Sequence, residues 1–227
     1  MIIGGLQKLT LLDYPSKVAC TVFTYGCNYR CPFCHNAALV EGTPETTYTE
    51  SEILSFLKKR IGVLDGVCIT GGEPLMQSGI ENFMAEIKSL GYSLKLDTNG
   101  SFPEKLRFVA ENGLVDYVAM DVKNSPQKYA LTTGVNADVS KISESINFLK
   151  TGKVDYEFRT TIVDGHHDEE SMEAIAEWIS GAKRYFLQNF VDSGMLIGNA
   201  QGVPEEKMRK FLDIVQKRVP TAEIRGL

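Results

Sequence analysis

The feature of this sequence that most constrains its fold is a regular alternation of short β-branched or aromatic runs with amphipathic helical segments. The pattern predicts strands at 18–24, 66–70, 93–97, 117–122, 156–163, 184–190 and 221–224. It predicts helices at 49–60, 79–90, 103–112, 138–149 and 205–217, and a further helix that Asp168 caps. Repeated βα units form parallel sheets with right-handed crossovers. With about six units, the predicted fold is α/β, a partial (β/α)6 TIM-like barrel in a single domain spanning 1–227.

Four polar or cysteine-bearing loops follow predicted strands directly. They are the cysteine loop after residue 24 and the segments 71–74, 97–100 and 121–123. In parallel α/β folds, ligands bind at the carboxyl ends of the strands, which lie together on one side of the sheet. The sequence therefore predicts that one mouth of the barrel collects all four loops.

Composition and charge narrow the functional classes. The chain has 227 residues, a formal net charge of −5 and a pI near 5.3, which argues against a nucleic-acid-binding protein. Its 43% hydrophobic content is ordinary for a globular domain. The first residues lack the pattern of a secretory signal, and no apolar stretch reaches the roughly 20 residues of a membrane helix. We therefore expect a cytoplasmic protein that binds neither nucleic acid nor membrane.

Three of the five cysteines lie within eight residues, at Cys27, Cys31 and Cys34, with C-x3-C-x2-C spacing. In a reducing cytosol, such clustering indicates metal ligation rather than disulfides. Thiolates this close can ligate three irons of one cubane, which leaves the fourth iron an open position. A zinc site is disfavoured because His35 is adjacent while Cys68 is remote, and inert thiols are the remaining possibility. The two isolated cysteines lie within predicted strands and are expected to be buried.

The cysteine segment, with the aromatic Phe33 before its last cysteine, resembles the signature of the radical S-adenosylmethionine (SAM) superfamily. The longer runs 5–15 and 34–36 resemble the activating proteins of glycyl-radical enzymes, most of all those of anaerobic ribonucleoside-triphosphate reductase. The resemblance covers nearly the whole chain and implies a barrel of the radical SAM type. It also implies one 4Fe–4S cluster on the three clustered cysteines, SAM as cofactor, and an external one-electron donor such as flavodoxin or ferredoxin.

The reaction that this resemblance implies is reductive cleavage of SAM. The resulting 5′-deoxyadenosyl radical is expected to abstract a hydrogen from a glycine of a partner glycyl-radical enzyme. Such chemistry needs no general acid or base. The protein is expected to contribute binding, orientation and exclusion of water and oxygen.

The resemblance further implies the residues of a SAM pocket. Those that match cofactor-binding positions of the family are Phe33, His35, Gly71, Gly72, Glu73, Asp97, Thr98, Asp121, Lys123 and Arg159. Gly72 and Glu73 are expected to contact the methionine amino group. Residues 97, 98, 120 and 121 match a site for a monovalent cation, and Lys123 and Arg159 match cofactor ligands. The same segments could also be plain turns, a surface ion pair and an exposed strand arginine.

Several further polar and aromatic residues have more than one interpretation. Asp13 resembles a residue that meets the substrate peptide in related activases, although an Asp before Tyr-Pro is also a common turn residue. His166 and His167 lie in a predicted loop, where we expect them to be exposed to solvent. Trp178 is expected to pack on a helix face.

Two features of the sequence bear on which glycyl-radical enzyme the protein is expected to activate. No further cysteine cluster provides a ferredoxin-like insert, and 186–190 has no histidine where pyruvate formate-lyase activases carry one. Activation of the anaerobic reductase is therefore preferred to activation of a pyruvate formate-lyase type enzyme. The sequence is also compatible with a small radical SAM enzyme acting on a free metabolite, such as a 7-deazaguanine-forming synthase. A further interpretation compatible with the sequence is a non-catalytic, zinc-stabilised interaction module.

Overall fold

A computed structural model of the chain describes residues 1–40, 47–192 and 196–226. Its strands are β1 (Ile3–Thr10), β2 (Ala19–Thr24), β3 (Gly66–Gly71), β4 (Ser93–Thr98), β5 (Tyr117–Asp121), β6 (Asp155–Ile162), β7 (Tyr185–Asn189) and β8 (Ala222–Arg225). Its α-helices are α1 (Ala37–Val40), α2 (Glu50–Lys58), α3 (Ile80–Ser89), α4 (Pro103–Glu111), α5 (Tyr129–Thr133), α6 (Val139–Lys150), α7 (Glu169–Trp178) and α8 (Glu205–Gln216). Short 3-10 helices span Pro74–Met76 and Pro126–Lys128.

The eight strands form one sheet in the order in which they occur along the chain. β1 runs antiparallel to β2, and every later neighbour is parallel. Six crossovers with helices therefore connect β2 to β8, which confirms the predicted partial (β/α)6 barrel. Within the described ranges, no pairing joins β1 to β8, so the barrel stays open along one side.

Helix N-termini follow the capping chemistry that the sequence predicts. The Thr49 hydroxyl accepts the Glu52 N–H at 3.2 Å, and the Glu52 carboxylate accepts the Thr49 N–H at 2.8 Å. This reciprocal pair starts α2. The Asp168 carboxylate accepts the Ser171 N–H at 2.9 Å and starts α7. Trp178, at the end of α7, packs edge-on against Tyr129 as a helix packing residue.

The sheet has an apolar outer face under the helices and a polar inner face. On β6, Tyr156 and Phe158 join the hydrophobic core, whereas Glu157 and Arg159 point to the opposite side. Glu157 is 1% exposed and accepts hydrogen bonds from Tyr117 and Arg225. Charged side chains are rarely buried unless they are paired. The buried charges on the inner face therefore mark it as the candidate location of a functional site. No described helix combines the length and apolar character needed to cross a membrane.

Candidate active site

The loop that carries the three cysteines follows β2 and is anchored on both flanks. The Gly26 N–H donates to the Leu39 carbonyl at 2.7 Å, which joins the loop to α1. The Arg30 N–H donates to the Thr133 carbonyl at 2.8 Å, which docks it onto α5. A Cβ at Gly134 would lie only 2.3 Å from the Arg30 carbonyl oxygen, so a glycine is required at this contact. Contacts with α1 and α5 therefore set the path of the loop.

Cys27, Cys31 and Cys34 line one pocket at the carboxyl end of the sheet. The Cys27 sulfur accepts a hydrogen bond from the Tyr29 N–H at 3.3 Å. Burial raises the pKa of the Cys27 thiol to about 11 and also raises the pKa of Cys31, while Lys123 opposes both shifts. Iron ligation needs thiolates, so binding of a cluster by these cysteines would release their protons, and a nearby cation favours the thiolate form.

The glycine segment after β3 packs directly against the cysteine loop. The Gly72 N–H donates to the Thr24 carbonyl and the Glu73 N–H to the Gly26 carbonyl, both at 2.9 Å. A Cβ at Gly72 would lie 1.9 Å from the Gly26 carbonyl oxygen. Any side chain at Gly72 would therefore push the cysteine loop away from β3.

Glu73 is fully buried and turns inward, away from the pocket. Its carboxylate accepts the Leu75 N–H at 3.0 Å, the Thr98 hydroxyl at 2.8 Å and the Asn99 N–H at 2.7 Å. Burial raises the pKa of Glu73 to about 7, against the lowering effect of these three hydrogen bonds. In this arrangement Glu73 ties the segment 71–74 to the segment 97–100, and its carboxylate does not line the pocket in which we expected it to meet an ammonium.

Two carboxylates and two cations, Asp97, Asp121, Lys123 and Arg159, form the floor of the pocket. Arg159 donates to Asp97 at 3.2 Å and to Asp121 at 3.1 Å, and Lys123 reaches Asp121 at 2.9 Å. Lys95, a residue that the sequence analysis missed, pairs with Asp97 from the same strand. Burial alone would raise the pKa of Asp121, but Arg159 and Lys123 outweigh it and lower that pKa to about 2. Arg159, with 15% of its side chain exposed, is therefore a pocket residue rather than an exposed strand arginine.

The pocket brings together twelve of the thirteen predicted site residues, all except Glu73. The space between the lining residues is about 840 Å³ when the open mouth is included. The sequence analysis did not single out six further lining residues, which are Tyr29, Asn36, Val40, Thr70, Asn99 and Thr161. Tyr29, Asn36 and Asn99 lie inside predicted motifs, and Thr70 and Thr161 lie one and two residues from Gly71 and Arg159, so a search around each motif would have found these five.

Aromatic rings form one wall of the pocket. His35 stacks on Phe190, with ring centroids 5.0 Å apart and planes 17° from parallel. Phe33 meets Phe190 and His166 edge-on at 6.5 and 5.7 Å. Phe33 is 4% exposed, whereas His35 at the mouth is exposed to solvent. Flat apolar surfaces of this kind suit a planar heterocycle.

The prediction that His166 and His167 face solvent is wrong for His167, which is 2% exposed. Its Nδ1 accepts the Val163 N–H at 3.1 Å, and its Nε2 lies 3.0 Å from the Lys123 carbonyl oxygen, to which it donates. The loop folds back against the segment 122–125, and this tertiary contact leaves no trace in the local sequence. His167 therefore holds the backbone of Lys123, a residue of the pocket floor.

Asp13 lies in the β1–β2 connection, at the opposite end of β2 from the cysteine loop. Its carboxylate accepts the Thr21 hydroxyl at 2.5 Å. Thr21 is 1% exposed and is in register with Cys68 on β3. Asp13 therefore reaches the inner face of the barrel and does more than cap a turn, while its predicted contact with a substrate peptide stays a prediction. Cys20 and Cys68 are fully buried, as predicted.

The side chains present fit a cluster and a cofactor. Three thiols share the pocket with Lys123 and Arg159, whose charges suit an anionic group. The phenol oxygen of Tyr29 is buried without a hydrogen bond that meets geometric criteria, and this residue also lines the pocket. Among the described residues, no three Cys, His, Asp or Glu side chains gather as the ligands of a single metal ion.

An open α/β barrel whose mouth carries three pocket thiols beside paired cations defines a class of iron–sulfur barrel enzymes. The sequence profile of the radical SAM superfamily matches residues 21–179, and the chain belongs to this superfamily. It is a radical SAM enzyme, and its cofactors are a 4Fe–4S cluster and SAM. The superfamily prediction from the sequence is thereby confirmed.

The proteins similar to this chain carry three different functional names. A Methanocaldococcus jannaschii protein named as a candidate glycyl-radical enzyme activating enzyme is 31% identical over 239 residues, which cover 100% of this chain and 96% of that protein. A GTP 3′,8-cyclase of Alkaliphilus oremlandii is 32% identical over 152 residues, covering 63% of this chain and 47% of that protein. A 7-carboxy-7-deazaguanine synthase of Thermococcus kodakarensis is 27% identical over 145 residues, covering 55% and 56%.

Solved structures share the fold. SuiB of Streptococcus suis bound to S-adenosylmethionine superposes with a TM-score of 0.72 at 12% identity, over 89% of this chain and 49% of SuiB. A domain of a pyruvate-formate lyase-activating enzyme from Bacteroides vulgatus superposes with a TM-score of 0.59 at 20% identity, over 71% of this chain and 99% of that domain. At these identities the likeness concerns the fold alone.

Proposed function

We propose that this protein activates a glycyl-radical enzyme by abstracting a hydrogen from a glycine of that partner. The observation that carries the proposal is the similarity to the M. jannaschii relative, which spans 100% of this chain and 96% of that protein. The matches to the metabolite-converting enzymes cover only 63% and 55% of the chain. Substrate contacts in barrels come from several loops, so end-to-end similarity supports a shared substrate type better than partial similarity does.

In this proposal, the pocket residues hold two groups side by side. Cys27, Cys31 and Cys34 ligate the cluster, which supplies the single electron that cleaves SAM. Lys123 and Arg159 bind the carboxylate of SAM. The apolar wall around Phe33 excludes water from the radical that forms.

A glycine on a partner protein must reach the pocket, and the open barrel supports such a route. Among the described residues β1 and β8 do not pair with each other, which would allow a partner loop to approach the inner face from that side. Asp13 lies on the connection next to β1, and its carboxylate reaches the inner face through Thr21. We propose Asp13 as a contact of the partner's glycine loop. Replacing Asp13 by Ala without any loss of partner activation would remove this assignment.

The proposed partner is anaerobic ribonucleoside-triphosphate reductase. Support comes from the runs 5–15 and 34–36, which resemble activases of that reductase, and from 186–190, which lacks the histidine of pyruvate formate-lyase activases. The electron donor is an external one-electron carrier such as flavodoxin or ferredoxin.

The test is anaerobic mixing of the reconstituted protein with SAM, a reductant and purified candidate partners. Electron paramagnetic resonance should then show a glycyl radical on the reductase. A reductase whose radical glycine is replaced by alanine should give no such signal, and Cys31→Ser in this protein should abolish it. A glycyl radical on a pyruvate formate-lyase but not on the reductase would reassign the partner. No radical on any glycyl-radical enzyme would overturn the activase proposal.

The second candidate is a radical SAM enzyme that acts on a free metabolite. It is favoured by the match to 7-carboxy-7-deazaguanine synthase over 55% of this chain. Multiple-turnover release of 5′-deoxyadenosine with a small pterin or purine substrate, and no partner protein present, would support it. An activase instead releases about one 5′-deoxyadenosine per partner glycine, because each glycine is used once.

A further inference from the structure

Each oxygen of the two carboxylates on the pocket floor already contacts a cationic side chain. Asp97 contacts Lys95 through Oδ1 and Arg159 through Oδ2, the latter at 3.2 Å. Asp121 contacts Arg159 through Oδ1 at 3.1 Å and Lys123 through Oδ2 at 2.9 Å. Each of the four carboxylate oxygens thus already has a cationic partner from the protein, and an added ion would have to share an oxygen with one of these side chains.

Lys95 is the unusual member of this set because it is almost completely buried, with 2% of its surface exposed. It precedes Asp97 by two residues on β4, and strand alternation puts both on the inner face. Its ammonium contacts the Asp97 carboxylate and lies 3.9 Å from the Cys68 sulfur. A buried lysine is costly unless it is paired, so its place here implies that the site needs a fixed positive charge.

The charge count also disfavours an added ion. Three cations, Lys95, Lys123 and Arg159, face two carboxylates, so the described cluster carries one surplus positive charge. Of the neighbouring carboxylates, Glu73 is bonded to Thr98 and Asn99, and Glu157 to Arg225 and Tyr117, while Asp13 accepts the Thr21 hydroxyl on the same inner face.

The remaining residues of the expected cation site point elsewhere. The Thr98 hydroxyl donates to Glu73 at 2.8 Å. Met120 is fully buried, and a Cβ at Gly100 would lie 2.1 Å from its methyl carbon, so the side chain packs under that turn. Met120 and Asp121 are successive residues of β5, so their side chains leave the sheet on opposite faces. Among the described residues, every side-chain oxygen at these positions therefore already has a protein partner, so the expected monovalent cation would find none unshared.

We propose that the Lys95 ammonium takes the place of a bound monovalent cation in this protein. Lys95 and Arg159 neutralise Asp97 and Asp121, and the surplus charge is left for the carboxylate of SAM. Binding of SAM is then independent of which monovalent salt is present. The proposal rests on the superfamily assignment and not on the identity of the partner protein.

The first test measures SAM binding to the cluster-loaded protein by equilibrium dialysis at constant ionic strength. The salts compared are KCl, NaCl and tetramethylammonium chloride, whose cation is too large for a site between two carboxylates. The three dissociation constants should agree within about twofold. Binding that is tenfold or more weaker in tetramethylammonium than in K⁺ or Na⁺ would overturn the proposal.

The second test uses Lys95→Met, which keeps the length of the stem and removes the charge. SAM binding by this variant should be weakened at least fivefold in tetramethylammonium and largely restored by K⁺ or Na⁺. Lys210→Met removes a lysine from an exposed pair with Glu169 and should behave as the wild type in all three salts. Equal weakening of Lys95→Met in every salt would show that Lys95 does not stand in for an ion.

A third measurement stays decisive if Lys95→Met fails to fold. Crystals of the wild-type holoenzyme grown in RbCl should show no anomalous rubidium peak between Asp97 and Asp121. A peak at that position would contradict the proposal directly. The rubidium measurement does not depend on the identity of the glycyl-radical enzyme. A rubidium peak would therefore contradict the proposal on Lys95 without bearing on the proposed function.

Discussion

His167 shows how one buried side chain can position the pocket floor. Both of its ring nitrogens are engaged, Nδ1 with the Val163 N–H and Nε2 with the Lys123 carbonyl oxygen. This arrangement needs the neutral imidazole, because a proton on Nδ1 would point at the Val163 N–H. Burial accordingly lowers the pKa of His167 to about 4.

The geometry of His167 predicts that the free energy of unfolding decreases as the pH falls. The unfolded side chain titrates near 6.5 and the folded one near 4, so the unfolded chain binds the proton first as the pH falls. The stabilisation is fully present above pH 6.5 and is lost towards pH 4, by at most about 3 kcal/mol. Urea unfolding of the metal-free protein at several pH values should show this slope, and His167→Gln should make it shallower. Identical slopes for the two proteins would contradict the assignment.

At the residue scale, the sequence revealed the groups that belong to compact motifs. The three cysteines, Lys123 and the Asp97 turn all lie in short signatures. Lys95 was missed, although its position two residues before Asp97 on a buried strand was a readable signal. His167 could not have been found, because its burial depends on a loop that packs against residues 122–125.

At the scale of elements, the close approach of the cysteine loop to the segment after β3 makes Gly72 critical. Gly72→Ala would place a Cβ 1.9 Å from the Gly26 carbonyl oxygen. We expect destabilisation of about 2–4 kcal/mol and at least a fivefold loss of iron and sulfide after reconstitution, because the loop must move.

Gly5→Ala is the matched control for Gly72→Ala. Its Cβ would meet only the Phe23 side chain, at 3.4 Å, which is an ordinary van der Waals contact. Iron content and thermal unfolding of the two variants, measured side by side, check the prediction. Full cluster loading in Gly72→Ala would show that the loop tolerates the displacement.

The last strand is held to the barrel by a buried charge. Arg225 on β8 donates to both oxygens of Glu157, at 2.8 and 2.9 Å, and lies over the ring of Phe186. Burial alone would raise the pKa of Glu157, but the hydrogen bonds from Arg225 and Tyr117 outweigh it and lower that pKa. β8 therefore docks through a pair whose acidic member is almost inaccessible to water.

Arg225→Met should destabilise the protein by about 2–4 kcal/mol, because it leaves the Glu157 carboxylate buried without its cation. The double variant Glu157→Gln with Arg225→Met should recover part of this loss, since no buried charge remains. Urea unfolding at neutral pH measures both. A double variant that is less stable than Arg225→Met alone would indicate that the pair acts through packing rather than charge.

Among the elements, the regular helices and parallel strands were predictable because their hydrophobic periods are strong. β1 was missed because two glycines and the exposed segment Gln7–Leu9 weaken its local signal. Its pairing with β2 also contains two register irregularities, which depend on the partner strand. Helices of four and five residues, α1 and α5, are too short to show a period.

At the scale of the whole molecule, topology collects the chemistry at one end of an open barrel. The predicted partial barrel placed the four motif loops at one mouth, and the structure confirms this for the residues that line the pocket. What the sequence could not give is the lateral pairing of charges across strands. Arg159 reaches across β5 to Asp97, a contact that depends on the register of three strands.

The central claim is that Cys27, Cys31 and Cys34 would hold the 4Fe–4S cluster, which would supply the electron for reductive cleavage of SAM. The most direct measurement is the amount of 5′-deoxyadenosine that anaerobically reconstituted protein releases from SAM under a strong reductant. We predict release by the wild type and by Cys20→Ala, whose cysteine is buried away from the pocket, and none by Cys27→Ser, Cys31→Ser or Cys34→Ser. A wild-type protein that carries its iron and sulfide yet releases no 5′-deoxyadenosine would contradict the account.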